Sequence, residues 1–489
     1  MAKTFLFYDL ETTGINKCFD QIIQFAAIRT DEALNELERY NFLIKLSPDT
    51  TPTPEASITH HISIEKANTG IFEYDAIKII YNLFNTPETI SLGYNTLTFD
   101  DEFLRFSFFK NLFSAYDHQY KNNCARMDLY PIVTWYYLFA NDVLNWVVDT
   151  KGKVSLKLEN INALNMLYVQ GRAHDALTDV LVTLELARKL QSYQPEMWQY
   201  LVQRFNKLED QKILSQLDFG LNVNGEKYQQ ALMISGQFGY DNRFMLPVLN
   251  LGKHRHYKNQ WCFLRLDYIN LEQVNLENLP KHFLTLNKKW GDLPLLLPAK
   301  KKFLAHLSGK RFSVIEKNKL FLQQNSELFA EIKEFTLNFK YPQVENIDVD
   351  ASLYFSSFMN GVEKSLCATF HKETIDYKVK LMNEMNSSYY ERALRVIGRM
   401  TPEKLTTEMQ KEFQVYLNRI ASFNLENMPI DFKGVRKISI PEVYERIQKL
   451  RELELNDEKL YLLDELEAYL SRGYLLQIGL RKAHTSELI

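Results

Sequence analysis

The sequence predicts a chain of α/β class in three parts: an α/β unit, a small β-rich module and an all-α region. Three observations predict it. Up to about residue 190, apolar runs of strand length alternate with amphipathic stretches of helical period. From about 200 to 350, strand-like runs recur, most of them between Gly, Asn or Pro turns. Beyond about 352, apolar residues return at three- and four-residue spacing with mixed charges between them. The 489 residues exceed one ordinary core, and we place the domain limits at 1–195, 196–350 and 351–489.

The first unit is built on Phe5-Leu-Phe-Tyr-Asp-Leu-Glu-Thr-Thr-Gly14. No polar residue interrupts Phe5–Tyr8, so it reads as a strand buried on both faces. Asp9 and Glu11 close it. Side chains two apart in a strand point the same way, so the two carboxylates lie side by side. At 4 Å and an effective dielectric near 20 their repulsion costs roughly 4 kcal/mol. A divalent cation between them turns that cost into binding energy, and oxygen-only ligands select Mg²⁺ or Mn²⁺. Strands at Ile22–Arg29 and Tyr40–Leu46 follow as an antiparallel meander, then a helix near Tyr74–Phe84 and a strand at Thr89–Gly93. Helices are predicted at Asp101–Phe113, Met127–Phe139, Leu158–Tyr168 and Ala176–Leu190, with Gln191–Pro195 as the link.

The second part opens on a helix near Leu201–Leu217. Strands follow at Ala231–Ser235, Phe244–Leu249, Trp261–Asp267 and Leu293–Leu297. Within it, Lys281–Lys319 carries ten Lys/Arg against Asp292 and Glu316, with Trp290, Phe303 and Phe312 interleaved. Such a stretch suits a surface that tracks phosphates and stacks bases, or only a solvated face. Its densest point is Lys300-Lys301-Lys302, next to Phe303. The third part shows helices at Tyr389–Gly398, Lys404–Ile420 and Val443–Leu470.

Composition bounds the function. Apolar and charged fractions of 46% and 24% are those of a soluble globular protein, and a net charge of −3 gives no global sign of nucleic-acid binding. No apolar run reaches the length of a membrane span, and Asp9 cuts short the only N-terminal one, which argues against a signal peptide. Cys18, Cys124, Cys262 and Cys367 form no Cys-x-x-Cys pair. Structural zinc and a disulfide framework are therefore not expected, and a reducing cytoplasm is.

Three further features bear on Asp9 and Glu11. Gly93-Tyr-Asn95 precedes Phe99-Asp100-Asp101-Glu102 where a strand gives way to a helix, so one of these acids can point back to the first strand. In His174-Asp175-Ala-Leu-Thr-Asp179, Asp175 reads as an N-cap, with His174 on the loop before the helix and Asp179 one turn inside it. Positions five apart on a helix lie about 140° apart, so His174 and Asp179 reach one site only from different directions. The third feature is the order of these elements within one unit. Together they supply four carboxylates for two metals and one imidazole. Two metals about 4 Å apart stabilise the attacking and leaving oxygens of an in-line displacement at phosphorus, and an imidazole with a pKa near 6.5 accepts a proton from water.

This conjunction resembles the DEDD superfamily of 3′→5′ exonucleases in its His-containing variant, which has a ribonuclease-H-like fold. Thr4–Asp9, Gln24-Phe-Ala-Ala-Ile-Arg-Thr-Asp31, Phe99-Asp-Asp-Glu102, Ala173–Asp179 and Ile234-Ser-Gly-Gln-Phe-Gly239 resemble the exodeoxyribonuclease I family in particular. The resemblance implies that Asp9, Glu11, Asp100 and Asp179 hold two Mg²⁺ ions, for which Mn²⁺ can substitute, and that His174 is the general base. Asp100 is chosen over Asp101 because it directly follows the Phe of the family motif. Glu11, Thr12, Thr13, Arg105, Ser155 and Lys157 would lie on the substrate, and Lys300, Lys301, Lys302 and Phe303 farther along the nucleic-acid path.

The family also implies an SH3-like middle domain and a helical C-terminal domain closing around single-stranded DNA. It implies docking of the single-stranded-DNA-binding protein by its acidic C-terminal tail, a role the basic stretch could equally serve. The expected protein is a cytoplasmic monomer, without a membrane partner, that degrades single-stranded DNA to 5′-mononucleotides in repair and recombination. The rivals are a proofreading or RNA-trimming exonuclease with the same five residues and an inactive nucleic-acid-binding adaptor. Departures from the family are Thr12-Thr13-Gly14, Lys157 in place of an Arg, and Arg399-Met-Thr-Pro402.

Overall fold

Thr4–Thr12 forms the central strand, β1, of a five-stranded sheet in the computed structural model, which describes residues 2–275, 277–279, 284–421 and 425–485. The other strands are β2 (Ile22–Thr30), β3 (Glu36–Leu43), β4 (Thr89–Gly93) and β5 (Ala125–Asp128), in the order β3-β2-β1-β4-β5. β1, β2 and β3 pair antiparallel, whereas β4 runs parallel to both β1 and β5. Both faces of β1 are covered, which is why its sequence is a continuous apolar run. Phe5 and Phe7 face a core that includes Val180 and Leu184 of the helix Ala176–Tyr193. Leu6, Tyr8 and Leu10 face the opposite core, with Phe103 and Phe108 of the helix Asp100–Lys110. Asp9 and Glu11 share the face of Phe5 and Phe7, so they continue that row towards the first turn of Ala176–Tyr193.

A small hairpin, β6 (Val147–Val148) and β7 (Val154–Ser155), precedes the helix Leu158–Asn165. The middle sheet contains β8 (Phe219–Val223), β9 (Glu226–Ile234), β10 (Met245–Lys253), β11 (Gln260–Arg265), β12 (Thr285–Lys289) and β13 (Leu295–Pro298). Its order is β12-β11-β10-β9-β13, with β8 also pairing β9, and every pair is antiparallel. The helices Gly309–Gln324 and Ser326–Asn338 bury Ile315, Leu322, Phe329 and Ile332 in a core that also holds Leu232, Leu264 and residues of the first unit. The β-rich module is therefore welded to the first unit by one continuous core. The remaining chain is helical, from Gly361–Lys372 to Asp457–Thr485. Among the described residues, no helix is long and apolar enough to cross a membrane.

Four predicted elements are corrected. The third strand spans Glu36–Leu43 rather than Tyr40–Leu46, because Ile44 leaves it to bridge Ile71. Met127 and Asp128 belong to β5, not to the following helix, since Asp128 stays extended and caps that helix by accepting the Tyr130 N–H at 2.9 Å. The helix expected at Leu201–Leu217 breaks after Gln203, where Asn206 accepts the N–H groups of Leu208 and Glu209 and starts a new turn. The single helix expected at Val443–Leu470 is two, Ile440–Arg451 and Asp457–Thr485, with the Asn456 side chain accepting the Lys459 N–H at 3.0 Å.

Candidate active site

Asp9, Glu11 and Asp179 place one carboxylate oxygen each within 4.8 Å of one another, all half-buried. β1 brings the first two. The third comes from the helix Ala176–Tyr193, whose N-terminus is fastened to the sheet by Gln24, the residue opposite Glu11 on β2. The Gln24 amide donates to Asp175 Oδ2 at 3.2 Å and to Asn41 Oδ1 at 3.1 Å, and its oxygen accepts the Ala176 N–H at 3.3 Å. Asp175 caps the helix through the Thr178 N–H at 3.1 Å, as its position predicts.

Asp100 approaches from the other side, at the first turn of Asp100–Lys110. It is buried, and it accepts the backbone N–H of Leu10, which lies between Asp9 and Glu11. Asp101 points elsewhere. Its carboxylate binds Arg126 Nη1 at 2.6 Å, His118 Nε2 at 3.0 Å and Arg105 Nε at 3.1 Å. Burial alone would raise the Asp101 carboxyl, but these neighbours hold it well below the usual range. The two adjacent acids thus divide: Asp101 anchors the helix, and Asp100 joins the cluster.

The cluster is electrostatically strained. Burial, then the charges of Asp179 and Asp100, pushes the Glu11 carboxyl up to about 9. Asp100 is raised to about 8, first by burial and then by Asp128 and Asp101, while its N–H donors partly oppose the rise. Burial raises Asp179 to about 6 against the lowering effect of His174. Asp9 is raised by burial and then by Asp100, Asp179 and Glu11. Asp100 and Asp179 thus raise both acids of β1, and four hard oxygen donors so placed form a donor set suited to divalent cations.

His174 sits on the loop before the helix, with its side chain 49% exposed and Nε2 3.8 Å from Glu159 Oε2. Its backbone is left-handed, at φ 61°, and its N–H donates to Asp179 Oδ2 at 3.2 Å. His174 and the clustered acid Asp179 are therefore joined through the main chain, while the imidazole is left facing solvent. This resolves the two-direction geometry read from their spacing.

The other predicted site residues are spread around this centre. Thr12 and Thr13 are buried and shape the turn after β1: Thr12 Oγ1 donates to the Gly14 carbonyl at 2.8 Å and Thr13 Oγ1 to Asp20 at 3.0 Å. Ser155 accepts the Asn160 amide at 2.8 Å, and Lys157 is exposed, 3.4 Å from Glu159. Arg105 is committed to Asp101. Lys300, Lys301 and Lys302 are exposed, with Lys302 Nζ 4.7 Å from the Phe303 ring centroid. Phe303 packs edge-on against Phe139 at 5.5 Å, so its ring is spent on packing. The basic stretch is not one face: Lys288 is buried against Asp210, Arg311 binds Asp267, and Trp290 is in the core. Lys281, its first residue, lies outside the described residues.

Residues 6–187 match a family model described as RNase_T, an exonuclease. Over 451 residues the chain is 27% identical to the exodeoxyribonuclease I of Buchnera aphidicola subsp. Baizongia pistaciae, covering 87% of this chain and 89% of that protein. It is 30% identical to the exodeoxyribonuclease I of Escherichia coli K12 over 294 residues, 59% of this chain and 60% of the relative. Among solved structures, Escherichia coli Exonuclease I in complex with a dA16 oligonucleotide superposes with a TM-score of 0.82 at 22% identity, covering 96% of this chain and 100% of that one. Exonuclease I from Methylocaldum szegediense gives 0.81 at 24% identity, with 97% and 100% covered. These structural likenesses show a shared fold: an N-terminal exonuclease domain, a β-rich middle and a helical C-terminal region. With an exonuclease domain matched over residues 6–187 and homology running over most of its length, the chain is a nuclease hydrolase similar to the exodeoxyribonuclease I proteins.

Proposed function

We propose that this chain removes 5′-mononucleotides from the 3′ end of single-stranded DNA, with two divalent cations, Mg²⁺ or Mn²⁺, held by Asp9, Glu11, Asp100 and Asp179. The observation that carries the reading is the convergence of these acids from β1 and two helices, three of them within 4.8 Å. Bound there, the metals supply Lewis-acid charge to the scissile phosphate and the leaving 3′-oxygen. The chain's own acids keep the ligand oxygens close at the cost of mutual repulsion, and Gln24 holds Asp179 in place. His174, exposed on the open side, takes the proton of the attacking water through its imidazole. Lys300, Lys301 and Lys302 offer charge to phosphates upstream of the 3′ end.

We further read the chain as a cytoplasmic monomer serving repair and recombination, with the acidic tail of the single-stranded-DNA-binding protein as a partner. Four free, buried cysteines suit a reducing compartment.

End-labelled single-stranded DNA and RNA, with and without chelator, test the reading. We expect metal-dependent loss from the 3′ end of DNA, abolished by chelator and by Asp9→Ala. We expect His174→Ala to slow turnover by about 10²–10⁴-fold. Preference for RNA would favour the trimming alternative, and binding without cleavage the adaptor. A His174→Ala enzyme with wild-type turnover would remove the base.

A further inference from the structure

The turn that carries His174 is held from outside the exonuclease domain. Glu458, in the first turn of the last helix, receives both Nη atoms of Arg172, at 2.6 and 3.0 Å, in a bidentate fork. The same carboxylate lies 3.4 Å from Nδ1 of His61, the left-handed C-cap of the helix Pro54–His60. About two turns farther along, Glu465 accepts the N–H groups of Ile64 and Glu65 at 2.9 and 2.7 Å, which fixes the last helix on this edge of the domain. The Arg172 carbonyl in turn accepts the Asp175 N–H at 3.3 Å, so residues 172–175 close as one turn.

A non-glycine residue in the left-handed region persists where its surroundings over-determine it. At His174, φ 61°, the helix side is fixed by Asp175 and by the N–H bond to Asp179. The loop side is fixed by Arg172, and Arg172 is fixed by Glu458. Without that fork the loop side of the turn ends in an exposed arginine, and the imbalance falls on the residue between.

We propose that Glu458 is a positioning residue for His174, acting through Arg172, so that the C-terminal region sets the geometry of the proton acceptor from outside the catalytic cluster. This rests on the reading of His174 as the base. A bidentate fork supplies direction as well as attraction, whereas an ordinary exposed ion pair contributes little to stability. The signature is therefore catalytic. At saturating single-stranded DNA, Glu458→Ala lowers kcat by about tenfold or more, with KM for DNA and the unfolding midpoint close to wild type. In a His174→Ala background the same change causes no further loss, because residues acting through one group are non-additive. The exchange Arg172→Glu with Glu458→Arg restores part of the activity that either single change removes.

Unchanged kcat in Glu458→Ala overturns the inference, as does an equal loss in both backgrounds. The two readings separate cleanly. If His174→Ala keeps wild-type turnover, the base assignment fails and this inference falls with it. If His174→Ala is slow and Glu458→Ala is fast, only this inference fails.

Discussion

Asp100 and Asp101 are neighbours in sequence with opposite environments, and their substitution should separate folding from chemistry. Asp101 neutralises Arg105, shares Arg126 with Asp292 and bonds His118 in a nearly dry site, so Asp101→Ala takes the ion pair from Arg105, leaves Arg126 with Asp292 alone and should cost about 3–5 kcal/mol in urea unfolding. Asp100→Asn removes a like charge from the cluster, so the metal-free protein should unfold no earlier while turnover is lost. Equal loss of stability in both variants would contradict this division. The raised acids also set a pH window. Their unfolded values lie near 4, and the folded ones reach about 6 for Asp179, 8 for Asp100 and 9 for Glu11. A carboxyl raised on folding contributes stability that is fully present below its unfolded pKa and lost as pH rises through its folded pKa. The metal-free protein should therefore lose melting temperature between about pH 5 and pH 9, and Mg²⁺ should restore more of it at pH 8 than at pH 6. At this scale strand alternation made Asp9 and Glu11 legible together. The choice between Asp100 and Asp101 was not legible from spacing, because the decisive partner, Arg126, lies on a strand that its local sequence did not reveal.

Elements deliver these residues through contacts that leave no local pattern. Gln24 sits in an apolar strand and looks like one polar interruption, yet it ties the N-terminus of Ala176–Tyr193 to the sheet. Gln24→Ala should leave the Ala176 N–H and the Asp175 carboxylate short of a partner, at about 1–3 kcal/mol. Faster amide exchange at residues 176–179 and a raised metal requirement for turnover would be the signs. Protection and metal requirement unchanged from wild type would show that the helix holds Asp179 by packing alone. A short strand in which apolar residues alternate up to a glycine, such as Thr89–Gly93 with Ile90 and Leu92, was read directly from sequence. β5 was not, since its four residues run straight into a helix and only the capping geometry of Asp128 separates them. Side-chain capping at Asn206 and Asn456 likewise broke helices whose apolar period continued across the break. Periodicity reports which face is buried, and caps decide where the backbone stops.

The helical region is joined to the exonuclease domain by a shared apolar core, in which Leu6, Tyr8 and Phe103 lie with Phe370, Val396 and Ile397, by buried charge and by the Glu458 fork. Arg399 Nη2 lies 2.7 Å from Asp49 Oδ2 of the first unit and 2.7 Å from Asp350 Oδ2, while Arg395 binds Asp348 at 2.5 and 3.1 Å. Tyr416 donates to the same Asp49 oxygen at 2.8 Å. Burial would raise the Asp49 carboxyl, but Arg399 more than offsets it and holds the group well below its usual value. A carboxyl lowered on folding contributes stability present above its unfolded pKa of about 4 and lost as pH falls through its folded value. The junction should therefore fail on the acid side, opposite to the acidic cluster of Asp9, Glu11, Asp100 and Asp179. Replacing Arg399 by Ala leaves Asp49 and Asp350 facing each other in a dry interface, and breaking such a pair from one side costs about 3–5 kcal/mol. The continuous core between the first unit and the middle sheet does not pass through this junction, so those two parts should stay folded together while the helical region loosens. Limited proteolysis of Arg399→Ala near pH 5 should then cut first in the segment around residues 339–360, and a resistant fragment ending there, which lacks Glu458, should turn over DNA about tenfold or more slowly than the intact chain. A single cooperative unfolding transition, with no protease-resistant fragment, would mean that the three parts stand or fall as one body.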